Sequence, residues 1–394
     1  MKILLLNSIC GHGSTGRIVK DLWESLTKEG YQVKVAFGLG EGNGVNIEDC
    51  ICYNNKFGYH IHNIAAKITD KAGLYSTLQT KKLIKEIVKF DPDIIHIHQL
   101  HGYHINYQVL FNYLAESEKK VIWTLHDCWA ITGHCAHFTY NKCEQWKTGC
   151  ITCNHLKEYP KCYFKGNVKQ NYELKKKLFT SVKNMTIVTP SEWLANIVKQ
   201  SFLEVYPVKV INNGIDTTVF KPVNSNFKEY NDIEGKTMVL AVANVWNEKK
   251  GLDDVIKLAE ELNENYKVVM VGLTEAQKES IPNSILGITR TKDVHELREI
   301  YSTADVFVNF TYEDTFPTVN IESLACCTPV ITYKTGGSPD VIVNESCGFV
   351  ISQGDVKEAR KIITSKKFPE PKFEIENYSK NIFSKNYIKI YEER

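Results

Sequence analysis

The sequence predicts an α/β protein with two Rossmann-like, doubly wound parallel-sheet domains facing a cleft. Three observations carry that expectation. β-branched, apolar runs such as IIHIH and DVFVNF read as parallel strands buried on both faces. Helical stretches alternate with such runs from end to end, the order that places helices on both faces of a parallel sheet. A chain of 394 residues is also too long for one ordinary core, and its 43% hydrophobic content supplies apolar mass for two.

In chain order, the first domain is expected over residues 1–204, with strands near ILLLNS, VKVAF, IIHIH, VIWTLH and TIVTP. It ends after the helix EWLANIVKQSF and carries a cysteine-rich insertion near 128–162. The second domain, 205–374, opens with VKVINNG and continues through MVLAVAN, KVVMVG, DVFVNF and PVITY. Within it NSNFKEYNDIEG is polar and reads as a surface loop. The last stretch, 375–394, is long enough for a terminal helix. No internal repeat at solenoid spacing competes with the two-domain reading.

Composition excludes several classes. A net charge of +2 lacks the basic imbalance of a dedicated nucleic-acid binder. No apolar run has the eighteen or more residues of a membrane span, and MKILLLNSIC is too short for a signal peptide, so a cytoplasmic protein is expected. The lysine-rich stretches TKKLIKEIVKF and NYELKKKLFTSVK leave peripheral contact with the inner face of the membrane as an alternative to plain solvated faces.

The candidate chemistry begins at Thr311–Thr332, where Asp314 and Glu322 stand eight residues apart across a strand-to-helix turn. A helix N-terminus offers unpaired N–H groups and a positive dipole end to an anion, and carboxylates beside it accept hydrogen bonds from sugar or ribose hydroxyls. Lys249 and Lys250 precede Gly251 at the start of another helix and can neutralise a leaving diphosphate. Near the N-terminus, Gly13 to Gly16 read as a loop whose backbone amides can approach a pyrophosphate, with Arg17 one residue into the helix that follows. GHGSTG is neither a Walker sequence nor a dinucleotide fingerprint.

Histidines cluster at His96, His98, His101 and His104, with His126 at a strand end. Metal, substrate contact and packing are all open readings of them. Cys150 and Cys153 form a C-x2-C pair that, with Cys135 and Cys143, can supply four thiolates to a structural zinc. Unligated thiols are the alternative, and Cys128, Cys162, His134 and His137 are spare ligands.

Taken in order, MKILLLNS, VIWTLHD, INNGIDTTVFKP, EKKGLDDVI, TYEDTFPTVNIESLACCTPVIT and TGGSPDVI resemble the motifs of the family-four, retaining glycosyltransferases of GT-B type over nearly the whole chain. The cysteine loop resembles that of colanic-acid and capsule-type members. The resemblance implies that Asp314, or Glu313 directly before it, faces the donor sugar, and that Glu322 grips the ribose. It implies donor contacts from Gly13, Gly16, Arg17, Lys249, Lys250, Phe316, Pro317 and Thr318, and base reading near Arg290. Asn244 stands where the family has an arginine, and Pro317 removes one backbone N–H. His126 matches the residue beside the reacting sugar, His98 and His101 fall on the acceptor side, and the resemblance implies that the helix of 375–394 crosses back to the first domain.

The function so implied is transfer of a hexose-type sugar from a UDP- or GDP-linked donor to a hydroxyl of a glycan or lipid-linked acceptor, with retention and without a catalytic metal. Surface polysaccharide synthesis is the expected setting. His126, Asp314 and Lys250 are the residues expected to carry the chemistry. A nucleotide-sugar epimerase of similar architecture and a non-catalytic sugar-binding protein are the alternatives.

Overall fold

The computed structural model describes residues 1–365 and 367–393, and these fall into two units. The first comprises Met1–Asn212 with Ser384–Arg394, and the second Asn213–Phe383.

The first unit is built on strands β1 (Lys2–Asn7), β2 (Gln32–Phe37), β3 (Cys50–Cys52), β4 (Ile94–Ile97), β5 (Lys120–Thr124), β6 (Met185–Thr189) and β7 (Val208–Val210). They pair in the order β3-β2-β1-β4-β5-β6-β7, all parallel. Ile3, Leu4, Leu5 and Leu6 of β1 have no exposed surface, so both faces of the sheet are covered, as its unbroken apolar pattern requires. The helix Gly13–Lys28 crosses from β1 to β2 and buries Val19, Leu22, Trp23 and Leu26. Beside β5, Trp123, Phe111 and Phe179 pack with ring centroids 4.5 to 5.4 Å apart.

The second unit has strands β8 (Thr237–Val242), β9 (Tyr266–Val271), β10 (Ile285–Ile288), β11 (Val306–Asn309), β12 (Val330–Tyr333) and β13 (Gly348–Ile351), in the order β10-β9-β8-β11-β12-β13 and again all parallel. The order reverses between β1 and β4 in one sheet and between β8 and β11 in the other. In open α/β sheets the loops leaving such adjacent strands diverge and open a crevice at their carboxyl ends. Those loops carry Ser8–His12 and His98–His104 in the first unit, and Lys249–Gly251 and Phe310–Pro317 in the second.

Three elements differ from expectation. VKV at 208–210, expected to open the second domain, pairs with β6 and completes the first sheet, so the first unit runs to Asn212. Gly13–Gly16 is no loop but the first turn of its helix. The polar stretch after Val223 contains a short helix, Phe227–Tyr230.

The C-terminal helix Lys380–Glu392 divides between the units, its residues from Ser384 onward belonging to the first. There Tyr391 Oη lies 2.7 Å from His96 Nδ1, and Tyr387 Oη lies 2.8 Å from Thr124 Oγ1, which in turn lies 2.8 Å from His96 Nε2. Lys120 Nζ donates to the carbonyls of Ile390 and Glu393.

Candidate functional site

In the second unit, two ion pairs join the loops leaving β8 and β11. Lys249 Nζ lies 2.9 Å from Glu313 Oε2, and Lys250 Nζ lies 2.8 Å from Asp314 Oδ2. Glu313 is the more buried acid, its side chain 5% exposed against 24% for Asp314. Both lysines thus have a carboxylate beside them, and each expected acid has its own cation.

The turn that presents the lysines is set by local chemistry. Asn247 caps it, its Oδ1 accepting from the Lys250 N–H at 3.0 Å. Gly251 ends it at φ +73°, where a β-carbon would stand 2.3 Å from the Phe310 carbonyl oxygen, so only glycine fits. The Tyr312 N–H donates to the Lys249 carbonyl at 2.8 Å, and the hydroxyls of Tyr312 and Tyr333 converge on Asp254 Oδ2 at 2.6 and 2.7 Å. The turn and the acidic loop are therefore one hydrogen-bonded piece.

Asp314 is held further by the Phe316 N–H, which donates to its Oδ1 at 3.1 Å. Gly336, at φ +51°, passes so close behind that a β-carbon would meet the Asp314 carbonyl oxygen at 1.7 Å. The helix Thr318–Ala325 follows Pro317 with no side chain capping its N-terminus and no acid in its first turn, which leaves its positive end open to an anion. Glu322, farther along it, accepts from the buried Tyr301 hydroxyl at 3.2 Å. Burial first, and the Glu322 carboxylate second, raise Tyr301 well above an ordinary phenol, so it stays a proton donor. The Phe316 ring is buried with Ile321 and Leu324 in the core, and only its backbone faces the loop. Asn244 and Arg290 are exposed on loops of the same unit.

In the first unit, His98 Nδ1 lies 3.0 Å from His126 Nε2, and the two rings stack at 5.3 Å. The buried His98 Nε2 has no hydrogen-bond partner. Burial lowers His98 far below the ordinary imidazole value and brings His126 down to about 4, so both are neutral near pH 7. His101 Nε2 lies 2.5 Å from Asp127 Oδ2, and its Nδ1 lies 2.9 Å from the Tyr159 hydroxyl. Burial alone would raise Asp127, but His101, with His137 and the Trp129 N–H, together outweigh it and hold the carboxyl well below its usual range. His98, His101, His126 and Asp127 line a cavity of about 10 Å³, the size of one water or one hydroxyl. Both ring nitrogens of His96 are spent, on Tyr391 and Thr124, whereas His104 bonds Tyr53 through Nδ1 and its buried Nε2 has no hydrogen-bond partner. Gly13 and Gly16 lie in the first turn of a helix that has no acid there and Arg17 directly after it, with Gly16 buried and Arg17 exposed.

The cysteine-rich stretch is a set of loops and short turns packed on the first core. Burial raises Cys135 to about 12 and Cys150 to about 11 and raises Cys153 as well, and neighbouring thiols add to the rise of all three. All four are free thiols, and among the described residues no three His, Cys, Asp or Glu side chains are grouped to hold a metal ion. Near Cys135 and Cys150 lies the buried Lys175, whose Nζ donates to the Trp129 and Thr132 carbonyls at 2.7 and 3.0 Å and sits 3.6 Å above the Trp129 ring. Burial lowers this amine to about 7.

Comparison with known proteins gives this arrangement a family. The model of glycosyltransferase family 4 matches residues 15–219, more than half of the chain, and that of the group 1 glycosyl transferases matches residues 223–368. The chain belongs to this glycosyltransferase family. It is 23% identical over 379 residues to Escherichia coli WcaC, a glycosyl transferase named for colanic acid biosynthesis, covering 90% of this chain and 88% of that one. It is 27% identical over 156 residues to the capsular polysaccharide biosynthesis glycosyltransferase CapM of Staphylococcus aureus, covering 37% of this chain and 41% of that one. Among solved structures, Anabaena HepE in complex with UDP superposes with a TM-score of 0.69 at 14% identity, covering 99% of each chain. Sucrose-phosphate synthase from Thermosynechococcus elongatus does so with the same score and identity, covering 99% of this chain and 98% of that one. The fold of this glycosyltransferase is thus GT-B.

Asp127, Tyr159, Tyr301 and Asp254 were not singled out from the sequence of this glycosyltransferase. Asp127 had a signal, the acid directly after His126. The two tyrosines and Asp254 act across 20 or more positions, and no local pattern announces them.

Proposed function

We propose that this glycosyltransferase moves a sugar from a nucleotide-sugar donor to a hydroxyl of a glycan or lipid-linked acceptor, with retention, in surface polysaccharide synthesis. The observation that carries the reading is the double ion pair, Lys249 with Glu313 and Lys250 with Asp314, fixed beside the uncapped helix Thr318–Ala325. A bound diphosphate competes with the carboxylates for the two cations, and the released acids turn to the sugar hydroxyls. As the glycosidic bond breaks, charge grows on the leaving diphosphate, and cations already in place stabilise it without reorganisation. Glu322, oriented by Tyr301, takes the ribose hydroxyls. Retention follows if the acceptor attacks on the face the diphosphate leaves, the phosphate taking the acceptor proton.

Two further observations support the reading. HepE is solved with UDP and with UDP-glucose, and WcaC and CapM are named for colanic acid and capsular polysaccharide. In the first unit, the unpartnered His98 Nε2 at a hydroxyl-sized cavity offers a neutral hydrogen-bonding atom to an acceptor hydroxyl, with His126 adjoining. The test is a thermal-shift panel of nucleoside diphosphates and their sugars, followed by product analysis by mass spectrometry with the stabilising donor. A UDP- or GDP-sugar that raises Tm and is consumed only when a glycan acceptor is added is the expected result. A donor epimerised without acceptor, or no stabilising nucleotide at all, sinks the proposal.

A further inference from the structure

The helix Lys56–Thr69 is turned inside out. Phe57, Ile61, Ile64 and Ile68 recur at intervals of four, three and four, which places them within about 60° of one another around the helix. They are 75%, 51%, 61% and 50% exposed, while the opposite face buries His62 and Ala66. An amphipathic helix in a soluble protein directs its apolar stripe at the core. Here the largest apolar side chains point at solvent, and a histidine points inward, its Nδ1 2.8 Å from the Ser76 hydroxyl and its Nε2 accepting from the Gly73 N–H at 3.0 Å. The orientation is therefore fixed by the buried histidine.

The surroundings of the stripe are strongly basic. Residues 56–89 hold seven lysines and two acids, Asp70 and Glu86, and Asp70 is buried against His134. This segment alone is more positive than the whole chain, whose net charge is +2. The next helix, Thr77–Phe90, begins beside the first, since a β-carbon on Gly58 would stand 2.9 Å from Gln79 Nε2. It exposes Leu78, Lys81, Lys82, Lys85, Val88 and Lys89.

We propose that this face of the first unit rests on an anionic lipid bilayer. Phe57, Ile61, Ile64 and Ile68 enter the boundary between headgroups and acyl chains, and the lysines lie among the phosphates. Exposed apolar stripes rimmed by cations have the physical form of interfacial helices, in which buried apolar area and attraction to anionic lipid add. A second copy of the chain fits the surface less well, because a two-fold contact would set one lysine rim against its equal. No helix among the described residues is long and apolar enough to cross a membrane, so the contact is peripheral. The proposal does not depend on the donor chemistry.

Co-sedimentation of the full chain with vesicles tests it. The chain should pellet with equimolar phosphatidylglycerol and phosphatidylcholine, and far less with phosphatidylcholine alone. The double substitution Ile61→Ser with Ile64→Ser should lower the partition coefficient about tenfold or more, and Lys81→Glu with Lys85→Glu about tenfold on anionic vesicles only. All four side chains point outward, so circular dichroism and Tm should stay at the parent values and show that the variants fold. Failure of the parent to bind anionic vesicles, or equal binding by the variants, overturns the proposal. So does a dimer in lipid-free solution that the isoleucine variant dissolves, because the stripe is then covered by a second copy.

Discussion

Replacing Gly251 by alanine tests whether the lysine turn is as rigidly specified as its geometry requires. Two costs arise there. The first is the left-handed conformation at φ +73°, about 1–2 kcal/mol for a residue with a β-carbon. The second is the 2.3 Å approach of that carbon to the Phe310 carbonyl oxygen, where backbone and not a flexible side chain must yield, about 1–3 kcal/mol more. Against these, alanine restricts the unfolded chain and returns about 0.4–1 kcal/mol. A net loss of roughly 1–5 kcal/mol remains, and a unit of this size loses about 2–4 °C in Tm per kcal/mol. Gly235 is the control, because it sits at φ +71° with nothing within 4 Å of the added carbon. Gly235→Ala therefore meets the conformational cost alone, and the difference between the two variants isolates the clash. Differential scanning calorimetry of both should show the Gly251 variant melting several degrees below the Gly235 variant, with nucleotide affinity reduced only in the former. Equal melting temperatures would refute the steric argument.

Glu322→Ala should weaken nucleotide diphosphate binding by about tenfold to a hundredfold, through loss of charge-assisted hydrogen bonds to the ribose, and isothermal titration measures it. Unchanged affinity in a folded variant would move the nucleotide away from the Thr318–Ala325 helix. Lys250→Ala should reduce turnover on the order of a hundredfold, with a smaller effect on donor affinity, while Lys249→Ala costs less; steady-state kinetics separate the two, and a change confined to KM would mean ground-state binding only. In pH dependence, burial lowers His62 to about 3 and His126 to about 4, so the unfolded chain takes up their protons near pH 6.5 while the folded chain does not. Stability is thus complete above pH 6.5 and falls as pH drops toward 4, on the order of 3 kcal/mol between about pH 7 and pH 5. Urea midpoints of the first unit that stay level across that range would show that these rings are solvated.

The sheets were legible because runs such as ILLLN and DVFVN are apolar on both faces, and the acidic loop was legible because it sits between such a strand and a short packed helix. What failed to show has physical causes. Val208–Val210 is three residues long and gains its place from β6, whose paired residues lie 21 positions earlier and which no local pattern names. Gly13 and Ser14 are poor interior helix residues, so a helix beginning at them reads as a loop. The pair of Asp127 with His101 spans 26 positions and exists only because β4 and β5 are neighbours. Most of all, a helical period in KFGYHIHNIAAKIT shows which side chains share a face, and not whether that face meets core or solvent.

The division of the last helix bears on how the chain acquires its structure during synthesis. Tyr387 and Tyr391 complete the hydrogen bonds of His96 and Thr124 in the middle of the first sheet, yet they are made only after the whole of the second unit. A nascent chain emerging N-terminus first can assemble the second unit from one continuous segment, whereas the first stays open at β4 and β5 until Tyr387 and Tyr391 have emerged. A ribosome stalled before Ser384 therefore holds a first unit whose buried His96 still lacks Tyr391, so closure of that sheet waits on synthesis of the entire second unit.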